Sequence, residues 1–244
     1  MPSHRMPAVL LLPVLLAGGA CASNASAQAT FEFVDSGQAL GDSNGRCVAL
    51  GDLDGDGDLD AMVANVPSRA NTVWINDGNG TFIDSGQALG DSSSYSVTLG
   101  DLDGDGDLDA MVANIPLRPN TVWINDGNGL FTDSGQELGD SSSRSVALGD
   151  LDGDGDLDAV VANYNRPNTA WTNDGTGSFT LAFQQSPENA RTSNSVALGD
   201  LDGDGDLDAV FANYGQPDTV LRNVNFGRTF GLFVESSLES GPRP

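Results

Sequence analysis

The chain has 244 residues, is 39% hydrophobic and 18% charged, and carries a formal net charge of -25 from 35 acidic and ten basic residues. That composition supports a core of ordinary domain size, and its acidity argues against recognition of nucleic acid through phosphate contacts. All ten basic residues are arginines, and the one histidine is His4, which leaves little material for nucleophilic or general-base catalysis.

Residues 1–29 read as a secretory signal: Arg5 precedes the apolar run Ala8 to Ala17, and small residues follow. The run is too short to span a bilayer, so no transmembrane segment is expected. Small-x-small words place cleavage after Ala27 or Ala29. Lipid anchoring at Cys21 is the alternative and ranks below it, because Gly18 stands where a bacterial lipobox has Leu. The expectation is a secreted or cell-surface protein. Removal of the signal leaves Cys47 alone, so no disulfide framework stiffens the fold; the residue reads as a small buried apolar side chain at a strand start.

From residue 30 to 236 the chain is a repeat array, followed by a tail at 237–244. Gly-Asp-Leu-Asp-Gly-Asp-Gly-Asp-Leu-Asp-Ala occurs four times, its first Asp at 52, 101, 150 and 200. The units run over about 46–94, 95–143, 144–193 and 194–236. Within the first, the pattern predicts strands over Arg46 to Leu50, Leu59 to Ala64, Thr72 to Asn76 and Thr81 to Asp84, the last two joined by the Asn76-Asp77-Gly78-Asn79-Gly80 hairpin turn. Phe33 to Gly37 repeats the words of the fourth strand ahead of the first unit. Phe226 to Glu235 could supply the fourth strand of the last. No helix of useful length fits after residue 30. Four short strands per unit in tandem predict an all-β fold, a β-propeller of about four four-stranded blades with the acidic loop between the first and second strands of each. A closed ring, an open arc and association of two chains all remain compatible with the pattern. Trp74, Trp123 and Trp171 share one position of the third strand and read as packing between blades.

The acidic loops carry the specific chemistry. Hard cations such as calcium take six to eight oxygen ligands, which alternating aspartates on one tight loop can supply. In the first loop Asp52, Asp54 and Asp56 offer carboxylates at positions one, three and five, Asp58 a backbone carbonyl at seven and Asp60 a carboxylate at nine. The counterparts are Asp101, Asp103, Asp105, Asp107 and Asp109; Asp150, Asp152, Asp154, Asp156 and Asp158; and Asp200, Asp202, Asp204, Asp206 and Asp208. About four Ca2+ ions are expected. Without a cation, five carboxylates within nine residues would repel strongly. An EF-hand is excluded, because its twelfth position, a glutamate, is here Val63, Val112, Val161 or Phe211.

The loops opposite the acidic ones differ between units. Arg69, Arg118, Tyr164, Arg166 and Tyr214 lie there, with Arg46, Tyr95, Arg144 and Arg191, residue types favoured at interfaces. They are the candidate partner-binding residues, for a protein or glycan ligand. No catalytic set is found, and the chain reads as a binding or adhesion module rather than an enzyme. A lectin-like carbohydrate binder is the alternative, and a carboxylate-based enzyme acting on glycans ranks below it.

The words Val-Ala-Leu-Gly-Asp-Leu-Asp-Gly-Asp-Gly-Asp-Leu-Asp-Ala-Val, Ala-Asn, Asn-Thr-Val and Asn-Asp-Gly-x-Gly-x-Phe closely resemble bacterial FG-GAP/VCBS repeats, relatives of the integrin α-chain propeller, over about residues 31 to 235. The resemblance implies a structural calcium ion in the hairpin between the first two strands of each blade, held by the aspartates named above, and a propeller face that binds partners.

Overall fold

The computed structural model describes residues 32–42 and 44–224 and the backbone of 234–235. The signal segment, Cys21 and the tail at 237–244 lie outside them. Residues up to Ser36 form one compact unit and those from Gly37 onward another. In the first, residues 32–36 carry no strand. All the blades belong to the second.

Blade 1 is β1 (Asn44–Gly51), β2 (Asp60–Val66), β3 (Thr72–Asn76) and β4 (Phe82–Asp84), paired antiparallel in that order. Blade 2 repeats it with β5 (Ser93–Gly100), β6 (Asp109–Ile115), β7 (Thr121–Asn125) and β8 (Phe131–Asp133). Blade 3 is β9 (Ser143–Gly149), β10 (Asp158–Arg166), β11 (Thr169–Asn173) and β12 (Phe179–Gln184), and blade 4 is β13 (Arg191–Gly199), β14 (Asp208–Asn213), β15 (Thr219–Arg222) and β16 (Val234–Glu235). A short pairing of β10 with β13 joins the last two blades into one sheet. The fourth strand of blade 4 thus lies within the Phe226 to Glu235 segment, and the strand expected over Phe33 to Gly37 does not form. Among the described residues the helical content is one 3-10 turn, Pro187–Asn189.

The second strands are buried on both faces, because the core lies between blades. The first cluster joins Leu53, Met62 and Val73 of blade 1 to Val97, Val112, Trp123 and Phe131 of blade 2. The same positions recur between blades 2 and 3, where Trp171 takes the tryptophan place, and between blades 3 and 4, where Leu221 does. Trp123 and Trp171 therefore pack between blades, Trp74 is buried outside these clusters beside Gly41, and each indole N–H is satisfied by a threonine hydroxyl two residues earlier. Cys47 lies in β1, half-buried against the first cluster rather than fully buried.

Polar bonds repeat as regularly as the apolar contacts. Gln38, Gln87 and Gln136 each donate through Nε2 to a carbonyl of the next hairpin turn, Gly80, Gly129 or Gly177, at 2.6, 2.7 and 2.6 Å, and accept from the N–H of Phe82, Phe131 or Phe179 at 2.8 Å. Asn125, Asn173 and Asn223 donate through Nδ2 to the carbonyls of Leu53, Leu102 and Leu151 in the preceding blade's acidic loop at 2.9, 2.8 and 2.7 Å. The first three acidic loops are thereby fixed against the blade that follows each.

Candidate metal centres and a bulge-built cleft

In every blade three aspartates converge, from positions one, three and nine of the loop: Asp52, Asp54 and Asp60; Asp101, Asp103 and Asp109; Asp150, Asp152 and Asp158; Asp200, Asp202 and Asp208. One carboxylate oxygen from each lies within 4.8 Å of the other two. The loop is built to do this. Gly55 and Gly57 adopt φ of 77° and 95°, a conformation costly to other residues, and the turn lets the Asp52 carboxylate accept from their two N–H groups at 2.9 and 3.0 Å. Asp60, fully buried, accepts from the N–H of Leu53 at 2.8 Å and of Asn76 at 2.7 Å. One carboxylate therefore ties the loop to β3. Asp109, Asp158 and Asp208 do the same in their blades.

Asp56 and Asp58, with their counterparts, stand outside the converging trio. Asp56 accepts from the N–H of Asp58, while the Asp58 carboxylate points at the hairpin turn, 2.5 Å from where a Cβ on Gly78 would lie. The same approach recurs for Asp107 at Gly127 and Asp156 at Gly175.

The electrostatics of the trio favour a cation. Burial pushes the carboxyls of Asp109 and Asp158 up to about 6, against the pull of their backbone N–H partners. Asp54, Asp103 and Asp152 are raised as well, first by burial and then by the carboxylates beside them, led by Asp60, Asp105 and Asp154 respectively. A donor set made wholly of carboxylate oxygens, held together at that cost, fits a hard divalent ion, whose charge would hold every member ionised.

The fourth loop departs from the others. Arg222 Nη1 lies 3.4 Å from Asp202 Oδ2, whereas Ile75, Ile124 and Thr172 occupy that place in blades 1 to 3. A guanidinium at one member of the trio competes with a cation. Calcium titration should therefore resolve three tighter sites and a weaker fourth, and Arg222→Ile should tighten the fourth by roughly an order of magnitude, about 1.4 kcal/mol.

A second constellation lies at the strand ends remote from the acidic loops. The first strand of each blade carries a bulge, with the register shifting at Arg46, Tyr95, Arg144 and Asn194. A bulge re-aims the extra side chain, and these four converge. The Arg46 guanidinium stacks 4.7 Å from the Tyr95 ring centre, and Arg144 lies 5.4 Å from it. Arg144 also packs 3.9 Å from the Tyr164 ring and donates from Nη1 to Asn194 Oδ1 at 2.7 Å. They line a cleft of about 420 Å³ with Ser96, Ser145 and Ser195. Among the described residues the ion pairs are Arg69 with Asp42 and Arg222 with Asp202, so no carboxylate lies within 4 Å of either cleft arginine.

Of the five partner-binding residues expected from sequence, none lines this cleft, and Tyr164 alone touches a residue that does, its ring packing against Arg144. Arg118 lines a separate hollow with Asp91, Asp133 and Glu137. Arg69 lies against Asp42 at 3.8 Å, Tyr214 is exposed, and Arg166 pairs with Arg191 across the β10–β13 ladder. Arg46, Tyr95 and Arg144 were legible as variable positions, whereas Asn194 takes the place that the sequence reading gave to Arg191; their convergence depends on four bulges that no local sequence word announces.

No helix among the described residues is long and apolar enough to cross a membrane. None of the curated proteins compared with the chain matches it. Among solved structures it is similar to BBS1N in complex with ARL6DN, soaked with mercury (12% identity, 80% of this chain, 55% of that chain, TM-score 0.51) and to the same complex soaked with lead (13%, 78%, 55%, 0.49). It is also similar to the V. cholerae biofilm matrix protein Bap1 (20%, 72%, 26%, 0.44). The chain thus spans about half the length of the first two, and the likeness at this identity is one of β-propeller-like fold. A model of the FG-GAP-like repeat matches residues 52–112, 101–161 and 150–211. Four equivalent blades, each with its acidic loop between first and second strands, and these three overlapping matches give one conclusion: the chain belongs to the FG-GAP-like repeat family.

Proposed function

We propose that this protein is an exported, non-enzymatic binding module for a protein or surface partner, in which calcium is structural. The observation that carries the reading is the division of labour between the two ends of each blade. At one end the aspartate trio and its backbone bonds are the same in every unit, as a scaffold requires. At the other, bulges bring unlike side chains of four units into one cleft. Asp52, Asp54 and Asp60 and their counterparts would hold the ion, whose chemistry is charge neutralisation of a buried carboxylate cluster. The chain's own residues then fix each loop against the third-strand end of its own blade, and the first three loops against the following blade.

An acidic partner fits the cleft best, because Arg46 and Arg144 present guanidinium groups stacked on tyrosine with no carboxylate of the described residues within 4 Å, and Tyr and Arg are favoured at interfaces. A lectin-like function is the second reading, favoured by Ser96, Ser145, Ser195 and Asn194, whose hydroxyl and amide groups suit sugar hydroxyls. Immobilised calcium-loaded protein should be challenged with acidic and neutral glycans and with acidic and basic proteins. Arg46→Glu with Arg144→Glu should weaken an acidic partner at least tenfold while calcium content and melting stay unchanged. Normal binding by that variant, with loss on substitution of Asn79 and Asn128 at the acidic-loop end, would place the partner site on the other face.

A further inference from the structure

The three interfaces between blades are copies of one another, and among the described residues an unmated copy of each half is left. The half that a blade presents to its predecessor includes Val97, Val146 and Val196, which are 5%, 7% and 8% exposed. Val48, the same position in blade 1, is 59% exposed, and Leu50 and Leu59 are exposed with it. The half that a blade presents to its successor includes Leu53, Leu102 and Leu151, each 1% exposed. Leu201, the same position in blade 4, is 53% exposed.

The seats match in detail. A Cβ on Gly51 would lie 2.5 Å from Leu108 and 3.1 Å from Leu99 of the next blade, and Gly100 and Gly149 are crowded in the same way by Leu157 with Leu148 and by Leu207 with Leu198. Among the described residues nothing lies within 4 Å of a Cβ on Gly199. The leucines that would fill its seat, by position, are Leu50 and Leu59. The polar ladder ends likewise. Asn125 donates both to Leu108 O of its own blade, at 3.2 Å, and to Leu53 O of the preceding one. Asn76 makes the first kind of bond, to Leu59 O at 3.2 Å, and its second counterpart acceptor, by position, is Leu201 O.

We propose that a second copy of this chain docks head to tail on the first, blade 1 of one copy seating on blade 4 of the other through the contacts that join successive blades within the chain. Leu50 and Leu59 fill the seat at Gly199, Leu201 is covered, and Asn76 donates to the Leu201 carbonyl. The contact is heterologous, so it closes into a ring if the rotation allows and otherwise continues into a linear assembly. Both copies are strongly acidic, so calcium and physiological salt favour the docking by reducing their repulsion.

The test is sedimentation velocity of the full chain in calcium at physiological salt over about 1–100 µM. The chain should show a mass of two copies or more, rising with concentration. Leu50→Asp blocks one half and Leu201→Asp the other; both side chains are exposed in the single chain, so melting should be unchanged, and each variant alone should be monomeric. Mixed, the two variants should form a 1:1 complex, because each keeps the half that the other has lost. A monomeric wild-type chain throughout that range, as would follow if a terminal segment of the same chain covered both faces, overturns the proposal. So does association that persists in either single variant, or a mixture that stays monomeric while the wild type associates.

Discussion

Stripping calcium with a chelator should lower the melting temperature by roughly 8–16 °C. If three trios each see calcium at ten times the dissociation constant, mass action supplies about 1.4 kcal/mol per site, or about 4 kcal/mol together. That is a large part of the 5–15 kcal/mol typical of a domain, and each kcal/mol moves the midpoint of a chain of this size by about 2–4 °C. Scanning calorimetry with calcium, with chelator and with calcium restored checks it. Magnesium should substitute poorly, since it demands a tighter octahedral set than a flexible aspartate loop offers. A melting curve indifferent to chelator would leave the aspartate trios without a structural role for metal.

Asp109→Ala should cost about 3–5 kcal/mol, even in metal-free protein. The fully buried carboxylate accepts from the N–H groups of Leu102 and Asn125 at 2.9 and 2.8 Å. Its loss leaves two buried donors unsatisfied, at about 1–3 kcal/mol each. The same holds for Asp158→Ala, which strands the N–H groups of Leu151 and Asn173. Asp105→Ala is the comparison within the same loop: Asp105 is exposed and accepts from one neighbouring N–H, that of Asp107, so its loss should change chelator-treated stability by well under 1 kcal/mol. Urea unfolding with chelator present separates the structural role of Asp109 from its role toward metal. Equal losses for Asp105→Ala and Asp109→Ala would contradict the double backbone anchorage.

Much of this fold was legible because the chain states it four times. The strands of blade 1 begin and end within two residues of the positions read from its words, since the turns between them are forced by Asn-Asp-Gly and by the glycines of the acidic loop. The acidic loops were legible as candidate metal sites for a similar reason, the oxygen donors being local in sequence. Sequence reading could not rank the five aspartates of a loop. Asp60 differs from Asp56 through burial and through a bond to Asn76, sixteen residues away, and that distinction exists only after β2 and β3 have paired. Arg222 meets Asp202 for the same kind of reason, a register between strands. The two open half-interfaces were equally hidden, because Leu50 and Leu99 are the same residue in the same word; one is exposed and the other partly covered by where their blades fall in the stack.

The most direct measurement is calorimetric titration of metal-stripped protein with calcium, for the wild-type chain and for Asp103→Ala. Three tighter sites and a weaker fourth are expected for the wild type, and the loss of one tight site, the other two retained, for the variant. Absence of calcium binding, or an unchanged set of sites in Asp103→Ala, would contradict a scaffold in which each blade holds its own ion.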